Sequence, residues 1–235
     1  MKTGNLRELI HLRRKYGDWL LTLLTLLLLL MMFVIAPLQA AGLAFFQGIG
    51  LIALLAIITG AMVISTNPLA FAVMSIAFVT NVCVVLFRLY WPSPYDLYMA
   101  ASCWLIITLT LGAVVVRAVF GRGRITYHRI VGAVLLYLLI ALAFVMLFSI
   151  VGLSFSDAFS GLTFEYNSTL ASKLLYFSFV TLTSTGYGDI VPIHPLARSL
   201  CNLESIIGQL YPAILLARLV TLELVANTAR PNADC

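Results

Sequence analysis

From residue 176 to 189 the chain reads Tyr-Phe-Ser-Phe-Val-Thr-Leu-Thr-Ser-Thr-Gly-Tyr-Gly-Asp, ending on two glycines, Gly186 and Gly188, separated by one tyrosine. Glycine accepts φ > 0 freely, so such a pair lets successive backbone carbonyls turn to the same side. A row of carbonyl oxygens aimed at one axis can replace the hydration shell of a bare cation. The ligands in that chemistry are main-chain oxygens, with a hydroxyl such as that of Ser184 as a supplement. No other stretch carries a nucleophile motif or a metal-ligand cluster, and no catalytic residue is expected. The 4 cysteines form no C-x-x-C; Cys83, Cys103 and Cys201 lie in apolar stretches and read as small buried hydrophobes.

The elements that must hold this stretch are membrane spans. Of 235 residues, 62% are hydrophobic and only 10% charged, with a mean hydropathy of +1.06. That composition excludes a soluble domain and makes this an integral membrane protein. The formal net charge of +5 is then read for where it lies, not as an affinity for nucleic acid. Residues 172–183 read as a short helix with aromatic and β-branched residues and no breaker. The glycine pair after it is too polar to span. Non-helical backbone at membrane depth is tolerated only when buried in protein or lining a watery path.

Taken in order, residues 1–18 form a cytoplasmic basic segment with Lys2, Arg7, Arg13, Arg14 and Lys15. Apolar runs at 19–36, 43–64, 69–87 and 97–116 are each long enough to cross at about 1.5 Å per residue. A cleaved signal peptide competes for the first, but the run is longer than the usual signal core. A second basic cluster, at 117–129, holds Arg117, Arg122, Arg124 and Arg129. Both clusters are expected on the cytoplasmic side, and the four spans between them return the chain to where it started. A fifth span at 130–151, an outer loop at 152–171, the short helix and a sixth span at 198–223 follow. The last span contains Glu204, Gly208, Gln209, Pro212 and Arg218, and a short cytoplasmic tail covers 225–235.

Thr181-Leu-Thr-Ser-Thr-Gly-Tyr-Gly-Asp189 resembles the potassium-channel signature T-x-T-T-V-G-Y-G-D. Ser184 stands where the family usually has threonine, and Thr185 where it has valine or isoleucine. The resemblance covers the pore-domain segment, 130–224, and implies its outer helix, re-entrant pore helix, selectivity-filter loop and inner helix. It implies an all-α membrane protein with six transmembrane helices per subunit and a pore built by a homotetramer. The ion-binding residues would be Ser184, Thr185, Gly186, Tyr187 and Gly188, with K+ held at Ser184, Thr185, Gly186 and Tyr187 as the transported ion. Asp189 would stand at the outer mouth, joined by Asp157 and Glu165 in drawing cations. Tyr187 would brace the filter against Tyr176 and Phe177. Thr181, Thr183 and Glu204 would support it from behind, with Arg198, Thr181, Thr183 or Gln209 of a neighbouring subunit as partner for Glu204. Gly208 matches the family's hinge glycine, and Pro212 would kink the same helix; close packing explains these two equally well.

Six spans with the pore last also resemble voltage-gated channels, whose fourth helix carries arginines at every third position. Residues 97–116 carry no Lys or Arg. Each charge moved through 100 mV would supply about 2.3 kcal/mol, so this helix supplies no gating work. The 19–116 unit keeps the four-helix layout without the charges; it is expected to meet membrane lipids or an unidentified regulatory partner. The reading is a non-enzymatic, K+-selective channel of the plasma membrane, of bacterial type, with both termini cytoplasmic. A poorly selective cation pore, or a non-conducting regulatory or transporter subunit, stays open beside it.

Overall fold

The computed structural model describes residues 19–42, 68–91, 93, 95–120, 127–164 and 168–228. The basic segment at 1–18, the second expected span at 43–64, residues 121–126 of the basic linker and Glu165 lie outside the described residues. Among the described residues, five helices are long and apolar enough to cross a membrane. These are α1 (Trp19–Ala40), α2 (Pro68–Tyr90), α3 (Asp96–Phe120), α4 (Tyr127–Ser154) and α6 (Pro195–Thr228). Between α4 and α6 lie the short helix α5 (Ser168–Leu182) and two strands, β1 (Phe159–Ser160) and β2 (Val191–Pro192).

Helix starts follow from local chemistry. Pro68 opens α2, where its missing N–H costs nothing. Ahead of α3, the Ser93 N–H donates to the Asp96 carboxylate at 2.7 Å. Pro195 opens α6, and the Leu196 N–H donates to His194 Nδ1 at 3.3 Å, closing that end. Within α1 the turn at Met31–Ile35 is a π-helix: the Ala36 N–H reaches back five residues to Met31 O. Pro37, which has no N–H to give, follows at once.

Two apolar clusters hold the helices together. Leu21, Leu24, Leu28 and Met32 of α1 pack with Leu111 and Val115 of α3 and with Leu135 and Leu139 of α4. A second cluster joins Phe144 and Phe148 of α4 to Phe159, to Leu174 and Phe177 of α5 and to Ala197 of α6. Phe33 of α1 meets Phe179 of α5 with ring centroids 5.1 Å apart, so the first span reaches the short helix directly. The segment expected as an outer loop at 152–171 is shorter than its sequence suggested, because α4 continues to Ser154 and α5 begins at Ser168. What remains pairs with the chain after the loop: β1 and β2 run antiparallel, Phe159 opposite Pro192 and Ser160 opposite Val191.

Candidate functional site

The site is the turn between α5 and α6. Helix α5 ends in a Schellman arrangement. The Ser184 N–H donates to Thr181 O and the Thr185 N–H to Val180 O, both at 2.9 Å, while the Gly186 N–H reaches Val180 O at 3.4 Å. Ser184 occupies the left-handed position of that cap with φ 56°, where glycine is the usual residue. Gly186 (φ 59°) and Gly188 (φ 81°) repeat the same sign. Every second residue from 184 to 188 is therefore left-handed. Such an alternation allows successive carbonyls to turn to one side, while the first three amides are tied back to α5. The whole stretch from Thr183 to Asp189 is exposed in the single chain, although apolar helices flank it.

Each side chain expected to matter has a definite place. The Gln209 Nε2 donates to Ser184 Oγ at 3.0 Å, tying the loop to α6. The Thr183 hydroxyl donates to Phe179 O at 2.7 Å, which leaves its oxygen to accept from Thr185 Oγ1 at 2.8 Å. Thr181 contributes through its carbonyl, which accepts from Ser205 Oγ at 3.2 Å. Tyr187 lies parallel to Tyr176, with centroids 6.2 Å apart and planes 3° apart. Tyr176 also adjoins Asp189, whose own side chain is exposed.

Two expectations need correction. Phe177 does not brace Tyr187; it is buried against Phe148 and Phe159, at 5.0 and 5.5 Å. Neighbouring residues on a helix point about 100° apart, so Tyr176 and Phe177 cannot both face the loop. Glu204 is fully buried, and its partner within the chain is Ser178 Oγ at 2.5 Å rather than Arg198, Thr181 or Thr183. The Arg198 Nε instead donates to Pro192 O at 3.1 Å. For Gly208, where hinge and close packing stood level, the contact favours packing: a Cβ there would fall 1.9 Å from Leu182 O, so only glycine lets α6 lie against the end of α5. Pro212 is helical within α6, and as the residue four beyond Gly208 it leaves the Gly208 carbonyl without its intrahelical donor.

Other contributors escaped the sequence reading. Gly161, with φ 84°, lies so close to Asp189 that a Cβ would sit 2.3 Å from its carbonyl oxygen. The Ile193 and His194 amides both donate to Ala158 O, at 2.9 and 3.2 Å. The His194 ring stacks on Phe155 at 3.9 Å. Together these clamp the segment after Asp189 to the segment after α4. Ser178 had one sequence signal: it shares a face of α5 with Thr181, three residues on, in the otherwise apolar C-terminal half of the helix. Gly161 had none.

Residues 132–223, running from α4 through the loop into α6, match a family model described as ion channel. No curated protein and no solved structure matches the chain significantly. The match supports an ion-channel domain, and with it passive ion transport by a helical membrane protein rather than catalysis.

Proposed function

We propose that four copies of this chain form a K+-selective channel that conducts passively across the cell membrane, without voltage sensing of the ordinary kind. One observation carries the reading: the alternating left-handed residues Ser184, Gly186 and Gly188, capped onto α5, leave the carbonyls of Ser184, Thr185, Gly186 and Tyr187 unengaged by that cap. Carbonyls in such a row can strip water from K+. Ser184 keeps a hydroxyl at the start of the row, and Gln209 holds it in place. Asp189 at the far end adds negative charge where cations would enter. The membrane lipids surround the assembly, and the termini lie on the cytoplasmic side with the basic clusters.

Ion flux tests the reading. Purified protein is reconstituted into liposomes loaded with K+ or with Na+, beside a Gly186→Ala control. An alanine at φ 59° is strained, so the control should lose its flux. Efflux of K+ without Na+, abolished in the control, is the expected result. Equal fluxes would replace the proposal by a poorly selective pore and implicate Ser184 and Thr185. Absence of flux across pH and voltage would favour a non-conducting subunit.

A further inference from the structure

Glu204 is the one fully buried carboxyl among the described residues. It lies on α6; its Oε1 is 2.5 Å from Ser178 Oγ on α5, and that hydroxyl is also 3.0 Å from Ala141 O on α4. The Glu204 Oε2 has no hydrogen-bond partner. Ser178 thus stands between two oxygens but has a single proton to give. If it gives that proton to Ala141 O, the short contact to Glu204 needs a proton from the carboxyl.

The alternative is an ionised Glu204 accepting from Ser178. It would place a full charge at zero exposure, with one oxygen bare and no cation beside it among the described residues. An uncompensated buried charge costs far more than one neutral hydrogen bond returns. Among the described residues, Tyr137 on α4 and Cys201 on α6 interact electrostatically with Glu204, and neither supplies positive charge at neutral pH. On α5 it faces the Ser178 hydroxyl.

We infer that Glu204 is a neutral carboxylic acid donating to Ser178, which donates to Ala141 O, and that this protonated clamp across α6, α5 and α4 positions the loop for conduction. Glu204 is a positioning residue: it touches no ion, but Ser178 lies on the helix whose end carries the loop. The clamp stands on geometry alone, whereas its effect on conduction rests on the channel reading proposed above. Folding keeps a proton that an unfolded glutamate has released at neutral pH, so the stability gained from the clamp falls as pH rises.

The test has two independent arms. Infrared difference spectra of wild type minus Glu204→Gln, at neutral pH, should show the C=O stretch of one protonated carboxyl. A carboxylate band in its place overturns the inference. Thermal unfolding and liposome K+ flux are then followed from neutral to alkaline pH. Wild type should lose stability and flux on alkalinisation. Glu204→Gln, which keeps a neutral donor of the same shape, should retain both, and Glu204→Ala should lose both at every pH. Equal alkaline sensitivity of wild type and Glu204→Gln overturns the role in conduction. Absence of flux from all three proteins would sink the channel reading, while the infrared and unfolding results still decide the clamp.

Discussion

At the scale of single residues, the loop shows how much backbone chemistry a few side chains control. The Thr185 hydroxyl is spent on Thr183, so in the proposed channel it would not face the ion. Thr185→Val should therefore keep any preference for K+ over Na+ and cost about 1 kcal/mol or less of stability, as expected for one hydrogen bond. Liposome flux and thermal unfolding measure the two parts separately; loss of ion preference would mean that the Thr185 side chain itself selects. Gly208 makes the opposite demand, because the space for any side chain is taken by Leu182 O. Gly208→Ala should push α6 off the end of α5 and destabilise the protein by about 1–3 kcal/mol, as overpacking does. A melting temperature unchanged from wild type would show that the contact yields easily and would return Gly208 to the role of hinge.

At the scale of elements, Gly208 and Pro212 act as one unit. Proline at 212 withholds the donor that the Gly208 carbonyl would receive, on the same turn that rests against α5. Tyr211, between them in sequence, ties the same turn to α4 by donating to Ala133 O at 2.8 Å and stacking on Tyr137. Helix α6 is thus weakest in its own hydrogen bonding where it is best held by its neighbours. Bending for opening would be concentrated there. Pro212→Ala restores the missing bond and should raise the unfolding temperature while lowering K+ flux several-fold. Higher stability with unchanged flux would place the moving part elsewhere.

At the scale of the molecule, five of the six expected spans are found among the described residues, because hydropathy alone marks them, whereas the start of α6 at Pro195 lies three residues ahead of the expected one. The loop was legible because Gly186 and Gly188 announce positive φ. Ser184 was not, since nothing in a serine codon of the motif signals a left-handed cap; that conformation is imposed by the end of α5. The Ser178–Glu204 pair and the contact of Gly161 with Asp189 join residues distant in sequence, and periodicity carries no information on such meetings. Assembly follows from what one chain leaves uncovered. Helix α6 is the least apolar of the five spans and only 17% of its best window is buried, against 50% for α4. Exposed apolar residues such as Leu203 and Ile206 can face lipid, but Asn202, Gln209 and the polar run from Thr183 to Asp189 cannot. In the proposed channel they would line a watery path, of which one loop supplies one wall. A closed ring of copies would enclose that path, since cyclic symmetry repeats the same face around one axis. Native mass spectrometry from mild detergent should give a mass of four chains, each of 25.8 kDa. A monomer or dimer that still conducts would mean that the ion path does not run along Ser184 to Gly188, because one or two such loops cannot surround an ion.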